Sequence, residues 1–170
     1  MRRLIIFRHA KAVPHGAAPD FDRALAERGL ADAAGTGRYL AEEHLLPDVA
    51  LVSPSLRTRQ TWAQAALAVG ETPVVTDERI YEALPDDLLA VVRAADPKAR
   101  TAVLVGHNPG MAEFARALAG HGDRYAFSRL RGGFPTSAIA VLDFPVDEWS
   151  EISFGKGRLD RFVTPGSAED

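Results

Sequence analysis

The chain has 170 residues, of which 46% are hydrophobic and 25% charged, a composition that suits one folded domain and excludes a chain that is disordered throughout. It contains no cysteine, so disulfides, thiolate catalysis and zinc sites with sulfur ligands are excluded. The formal net charge of -3 argues against broad binding to nucleic acid or anionic membranes, so any bound anion must be held by a few focused cations.

A short apolar run at residues 4–7 predicts a buried first strand. Arg8 and His9 close this run, which is too short for the apolar region of a signal peptide. No later run approaches the roughly 20 apolar residues that a membrane span requires. A cytoplasmic protein without membrane association is therefore expected.

Helical and strand patterns alternate after the first strand. Helical spacing of apolar residues predicts four helices, with inward faces at 30–41, 62–69, 88–95 and 111–118. Further apolar runs predict strands at 49–52, 74–75, 101–105, 138–144 and 151–154. This alternation predicts an α/β fold, a three-layer sandwich with a mostly parallel central sheet and helices on both faces. We expect a single domain over residues 1–165 and a polar tail, 166–170, that frays.

Proline, glycine and asparagine mark the predicted helix ends. The second helix is predicted to begin at Pro54 and to end at Gly70, and the third to begin at Pro85. Asn108 is predicted as the N-cap of the fourth helix, with Pro109 in the first helical position.

Three of the predicted strands end in polar residues that a structural role does not require. Arg8 and His9 follow the first strand, Arg57 lies shortly after the second, and His107 and Asn108 follow the strand at 101–105. The carboxyl ends of parallel strands face a common crevice, so we expect two histidines and two arginines to converge there.

Arg57 is predicted in the first turn of a helix, where the helix dipole disfavours a cation by about 0.3–1 kcal/mol. Such conflicts between local and global preference tend to lie at functional sites. An oxyanion between the helix N-terminus and the guanidinium would relieve the repulsion, because both groups stabilise it.

Two histidines beside two arginines are compatible with more than one chemistry. A pair of histidines with a carboxylate can bind zinc, but the arginines would repel the cation. Two arginines match the oxygens of a phosphoryl group, and a neutral imidazole is a competent nucleophile toward phosphorus. Phosphoryl transfer without a metal or a cofactor is therefore favoured. For each residue taken alone, a structural or solvated role remains the alternative.

Three motifs occur in order along the chain: Arg8-His9, a segment with Ser53, Arg57, Gln60 and Thr61, and Gly106-His107. Together they resemble the signature of the histidine phosphatase (phosphoglycerate-mutase-like) superfamily. Within it, the chain is most similar to the small phosphohistidine phosphatases of the SixA type. The segments that carry this similarity over nearly the whole chain are Arg8-His-Ala-Lys11, Asp22-Arg23 with Glu27-Arg-Gly29, Ile80-Tyr-Glu-Ala83, Gly106-His-Asn-Pro109 and Phe134-Pro-Thr-Ser-Ala138.

The resemblance implies a phosphoglycerate-mutase-like fold and a role for each matching residue. His9 would be the nucleophile that becomes phosphorylated, and Arg8, Arg57 and His107 would surround the phosphoryl group. Lys11 and Asn108 are candidates for further substrate contacts, with a solvated lysine and a helix cap as the alternatives. Ala10 stands where glycine is commoner in the superfamily.

The resemblance also suggests a general acid, which many members place between the second and third motifs. Glu82 lies in that region, and Asp86 and Asp87 are close by. The small branch does not keep this acid reliably, and the alternative for Glu82 is a solvated side chain beside a buried Tyr81. The imidazole of phosphohistidine leaves readily once it is protonated, so a weak acid can suffice.

The stretch between Arg57 and His107 is too short for a large cap insertion, so an open pocket is expected. Such a pocket suits phosphohistidine on another protein, which is the favoured substrate. A phosphatase of small phosphomonoesters, such as sugar or nucleoside phosphates, and a non-catalytic phosphate-binding module are the alternatives, and a mutase is least favoured. Whether Arg23, Arg129 or Arg131 contacts the substrate stays open.

Overall fold

In the computed structural model, which describes residues 1–166, strands and helices alternate as the apolar pattern predicts over residues 1–118. The strands are β1 (Arg2–Arg8), β2 (Val49–Val52), β3 (Val74–Thr76), β4 (Thr101–Gly106), β5 (Ala119–Gly122), β6 (Ile139–Phe144) and β7 (Gly157–Val163). The helices are α1 (Glu27–Glu42), α2 (Leu56–Val69), α3 (Pro85–Arg93), α4 (Gly110–Leu118) and α5 (Arg124–Gly132). Apart from Gly166, the predicted tail lies outside the described residues.

All seven strands of the described chain join one sheet in the order β3-β2-β4-β1-β6-β7-β5. β1, β2, β3 and β4 are parallel, and β6 runs antiparallel to both of its neighbours. Arg8 pairs with Gly106 and Val52 with Val105. The ends of β1, β2 and β4 are therefore level, so the polar residues that follow them emerge at one edge of the sheet.

Helices cover both faces of the sheet, as predicted. Leu4 and Ile6 of β1 belong to an apolar cluster with residues of α3 and α4, whereas Ile5 and Phe7 belong to a second cluster with residues of α1 and α2. All four side chains are fully buried. Because β1 is packed on both faces, the position of the residues that follow it is fixed by the core.

Two glycines of α1 permit close approaches between backbones. A Cβ at Gly37 would lie 2.3 Å from the carbonyl oxygen of Ala65 in α2, and one at Gly29 would lie 2.0 Å from that of Lys11. These contacts hold α1 against α2 and against the loop that follows β1. Gly29, in the Glu27-Arg-Gly29 segment, is thus needed because a side chain there would clash with the backbone that follows β1.

Two predicted helix starts are wrong by one or two residues. α2 begins at Leu56 and not at Pro54, because Ser55 is its N-cap and its hydroxyl accepts from the amide of Thr58. α4 begins at Gly110, with Pro109 in the N-cap position. Asn108 lies before the cap, although its Oδ1 still accepts from the amide of Ala112 at 3.2 Å.

The strand predicted at 151–154 is also wrong. A 3-10 turn at Trp149–Glu151 precedes an irregular segment, and the seventh strand is β7. Trp149 and Ile152 are fully buried and pack in the cluster of α3 and α4, so their apolar spacing reflects core packing and not a strand. β5 and α5 were not predicted. None of the helices among residues 1–166 has the length and apolar composition that a membrane crossing requires.

Candidate active site

A pocket of about 610 Å³ lies where β1, β2 and β4 end. All seven candidate residues from the sequence line it: Arg8, His9, Lys11, Arg57, Glu82, His107 and Asn108. A larger cavity, about 990 Å³, lies between α2 and β3, but mostly apolar side chains line it and neither histidine reaches it. The ionisable side chains therefore identify the smaller pocket as the candidate site.

His9 is buried at the end of β1 in a defined orientation. Its Nδ1 lies 2.7 Å from the carbonyl oxygen of Ala10. A carbonyl only accepts, so Nδ1 carries the hydrogen and Nε2 keeps its lone pair. Burial lowers the pKa of His9 to about 4, and the charges of Arg8 and Arg57 add to that shift. The ring is neutral at pH 7 and has the form that a nucleophile needs.

His107 faces His9, with the two ring centroids 5.4 Å apart. Its Nε2 lies 2.8 Å from the Ser53 hydroxyl, and its Nδ1 is buried without a partner among residues 1–166. Burial lowers the pKa of His107 to about 3. When Ser53 donates to Nε2, the ring hydrogen is on Nδ1, which has no partner among residues 1–166.

The two arginines hold further unpaired donors. Nη1 of Arg8 donates to the carbonyl of Phe134 at 2.9 Å, and burial lowers the pKa of Arg8. The Nε atoms of Arg8 and Arg57 are buried and lack a partner. Within residues 1–166, these two atoms and Nδ1 of His107 are three of the four buried side-chain nitrogen and oxygen atoms without a hydrogen bond. Unpaired buried donors are costly, and their concentration around His9 suits an oxyanion.

The second motif builds the site from the start of α2. The Ser53 hydroxyl binds His107, as described above, and the Gln60 side chain accepts from the amide of Leu25 at 2.7 Å. The Thr61 hydroxyl accepts from the amide of Ala10 at 2.9 Å and donates to a carbonyl of its own helix. Three polar residues of this segment thus make hydrogen bonds to three other parts of the chain. These parts are the residue after β4, the loop after β1 and the loop before α1.

Asp20 is a charged residue of the pocket that the sequence did not indicate. Its carboxylate accepts from Tyr81 at 2.5 Å, from Arg23 at 3.1 Å and from Nη2 of Arg57 at 3.1 Å, and its carbonyl accepts from Nη1 of Arg57 at 2.7 Å. The Tyr81 hydroxyl, with Arg23 and Arg57, holds the pKa of this carboxyl well below its usual range. Only the fold distinguishes Asp20 from Asp22, two residues along the same 3-10 turn.

Asp20 supplies the negative charge that the position of Arg57 requires. The sequence placed this cation in the first turn of a helix, and the structure keeps it there, buried. A carboxylate from the chain itself balances it. The Nε of Arg57 is buried and has no hydrogen-bond partner among residues 1–166.

The remaining candidates lie at the wall and the mouth of the pocket. Glu82 is exposed, has a backbone φ of 54°, and forms no hydrogen bond that the structure of residues 1–166 records. Lys11 is exposed. The Asn108 amide donates to the Phe134 carbonyl at 2.8 Å and accepts from Ala112, so both of its ends are engaged. Tyr81 is half-buried, where the sequence analysis expected it buried.

Other charged residues are accounted for within the fold. Arg23 is buried and donates to Asp20 and to the carbonyl of Val13, and Arg129 donates to Thr164 outside this pocket. The Asp87 carboxylate accepts from the amide of Leu84 at the start of α3. In the described part of the chain, no group of three or more His, Asp or Glu side chains is arranged to hold a metal ion.

Comparison with known proteins agrees with this geometry. A family model described as the histidine phosphatase superfamily, branch 1, matches residues 4–88, which include Arg8, His9 and Arg57. An uncharacterized protein of Mycobacterium leprae is 33% identical over 163 residues, which are 93% of this chain and 99% of that protein.

Two solved structures of proteins named as candidate phosphohistidine phosphatases, SixA, have the same fold. The one from Agrobacterium tumefaciens is 33% identical, has a TM-score of 0.81, and covers 96% of this chain and 98% of its own. The one from Nakamurella multipartitia is 28% identical, has a TM-score of 0.86, and covers 97% of this chain and 96% of its own. The match extends over the second half of the chain, where His107 lies.

Proposed function

Because the chain belongs to the histidine phosphatase superfamily, we propose that it hydrolyses phosphohistidine carried by another protein, without a metal ion and through a phosphorylated His9. As a member of this superfamily the chain is a phosphatase. The observation that carries the proposal is the neutral His9 ring among three unpaired buried donors, those of Arg8, Arg57 and His107.

In the first step, Nε2 of His9 attacks the phosphorus atom. A bond forms between this nitrogen and phosphorus while the bond from phosphorus to the departing imidazole breaks, and its electron pair stays on the departing nitrogen. The donors of Arg8, Arg57 and His107 bind the three phosphoryl oxygens, whose negative charge they stabilise. In the second step, water attacks phosphorus, and phosphate leaves as His9 recovers its lone pair.

The acid–base groups of the pocket favour a phosphohistidine over a phosphate ester. An alkoxide needs a proton from a general acid as it leaves, but Asp20 is held ionised and its hydrogen bond raises the pKa of Tyr81. Glu82 is exposed at the wall. A protonated imidazole leaves without such an acid. The two SixA proteins of the same fold, named as candidate phosphohistidine phosphatases, support this substrate class.

The test is a turnover and trapping experiment on the full chain. Wild type is expected to remove labelled phosphate from a phosphohistidine-bearing protein domain, and to do so faster than from a panel of sugar and nucleoside phosphates. The variant His9→Ala should fold and show neither turnover nor label on the enzyme. His121→Ala, which changes an exposed histidine of β5, serves as the matched control and should behave as wild type.

Three results would contradict the proposal. Faster turnover of the small phosphomonoesters would make the chain a phosphomonoesterase, and phosphate binding without turnover or label would make it a binding module. The assay runs in EDTA, because the pocket cations are side chains. Activity that is lost on chelation and restored by a divalent ion would overturn the metal-independent step.

A further inference from the structure

Asp20 poses a problem for a pocket that binds a phosphoryl group. A carboxylate repels a phosphate dianion, yet this one lies in the same pocket as Arg8, His9 and Arg57 and is held there by several hydrogen bonds. Pairing with Arg57 accounts for one of its oxygens, Oδ2, which accepts from Arg57 and Tyr81. The other oxygen, Oδ1, pairs with the guanidinium of buried Arg23.

The second oxygen, Oδ1, lies beside one buried and one exposed side chain. It accepts from Arg23, and Nδ1 of His15 lies 3.8 Å from it. The Asp20 side chain is 41% exposed and that of His15 is 84% exposed, so this imidazole rests at the mouth without being packed in place. An anionic oxygen at the mouth of the pocket thus already has an imidazole ring beside it.

We propose that Oδ1 of Asp20 binds the imidazolium ring of a phosphohistidine substrate, in the place that the His15 ring takes in the free protein. This inference rests on the proposed function and names the residue that selects its substrate. One ring nitrogen carries the phosphoryl group toward His9, and the other donates its hydrogen to Asp20. A phosphorylated sugar or nucleoside presents no such cation, so the carboxylate favours phosphohistidine and opposes those esters.

The same contact assists the reaction. A carboxylate at the second nitrogen keeps the substrate ring protonated, and a protonated ring accepts the electron pair of the breaking bond and departs as neutral imidazole. No proton has to come from the enzyme. His9 then holds the phosphoryl group on Nε2 while its Nδ1 keeps its hydrogen and donates it to the carbonyl of Ala10. The attacking and departing rings are thus each held by an oxygen acceptor at the nitrogen away from phosphorus.

The experiment compares Asp20→Asn with wild type in two measurements. Asparagine keeps the size and an acceptor for Arg57 but removes the charge. The kcat/KM for a phosphohistidine peptide should fall roughly 10- to 100-fold, as for loss of a charged hydrogen bond. The Kd of orthophosphate should be unchanged or lower, because a like charge has gone. Asp22→Asn, an exposed residue of the same turn, should change neither value.

The outcomes that overturn the inference are distinct. If the Kd of orthophosphate rises by the same factor as kcat/KM falls, Asp20 acts only by positioning Arg57. If kcat/KM is unchanged, the carboxylate does not bind the substrate ring. In both cases wild type still cleaves phosphohistidine, so the proposed function stands. If wild type does not cleave phosphohistidine, both the proposed function and the role of Asp20 are contradicted.

Discussion

Arg57 is a buried cation in the first turn of α2, where the helix dipole opposes positive charge. Two of its N–H groups donate to Asp20, and its Nε is buried without a partner in the described part of the chain. The planar guanidinium of Arg57 therefore has two roles. It fixes the loop that carries Asp20, and it keeps one N–H donor unpaired beside the pocket. A lysine has the charge but cannot make both sets of contacts.

Arg57→Lys should reduce turnover by roughly 30- to 1000-fold, or about 2–4 kcal/mol of transition-state stabilisation, as for loss of one preorganised donor. Arg59→Lys is the matched control, since Arg59 is exposed on the same helix and its Nε donates to the carbonyl of Pro54. Turnover of both variants is measured with the same phosphohistidine substrate. Vanadate should raise the melting temperature of wild type more than that of Arg57→Lys, and equal shifts would place Arg57 outside the anion site.

The site residues show what strand ends can predict. His9, Arg57 and His107 were predicted to meet because each lies just beyond a parallel strand, and they line one pocket. Asp20 lies in a loop between β1 and α1, where no periodicity relates a residue to the sheet. Its position depends on contacts with Arg57 and Tyr81, which come from distant parts of the chain. Residues held by such tertiary contacts have no local sequence signal.

Among the elements, α1 and α2 form a helix pair whose separation depends on a glycine. The backbone of Gly37 lies so close to Ala65 that a Cβ would be 2.3 Å from a carbonyl oxygen. Neither backbone can move without displacing its helix, and α2 carries Arg57 and Thr61. Close packing of this pair is thus linked to the shape of the pocket.

Gly37→Ala should lower the free energy of unfolding by about 2–3 kcal/mol or more, because a clash between backbones strains the whole helix pair. Gly35→Ala in the same helix meets only the end of the Arg38 side chain, at 3.5 Å. This control should be unchanged or up to about 1 kcal/mol more stable, because alanine is the better helix former. Urea unfolding measures both, and equal stability of the two variants would contradict the close approach.

The prediction of strands and helices was correct where apolar residues recur at a regular spacing. β1, β2 and β4 are continuous buried runs, and α1 to α4 have apolar residues at helical spacing. β7 was missed because its pairing with β6 shifts register between Val141 and Leu142. Its buried residues Leu159 and Phe162 are consequently three positions apart, a spacing that is not typical of a strand.

Over the whole molecule, burial of two neutral histidines links stability to pH. The pKa of His9 is about 4 and that of His107 about 3 in the folded protein, against 6.5 for an ordinary histidine. Below pH 6.5 the unfolded chain binds protons that the folded protein does not, so stability falls as the pH drops toward 4. The folded state is therefore favoured at neutral pH, where the His9 ring also has the form that attacks phosphorus.

Between pH 7 and pH 5, wild type should lose on the order of 1–2 kcal/mol of unfolding free energy through His9 alone. His9→Gln removes this titration, so its loss over the same interval should be smaller by that amount. Urea unfolding at the two pH values measures both proteins. The same pH dependence in both would show that His9 has the same pKa in the folded protein as in the unfolded chain.

The order of strands in the sheet also governs when this protein can fold during its synthesis. β1 is made first, but its two hydrogen-bonding neighbours, β4 and β6, come from the second half of the chain. β4 also separates β1 from β2, so His9 and Arg57 have no fixed relation before it is inserted. A ribosome that has translated only the first 100 residues carries an apolar β1 strand with neither partner. The nascent chain must therefore be kept from aggregating until the strand that begins at Thr101 has left the exit tunnel.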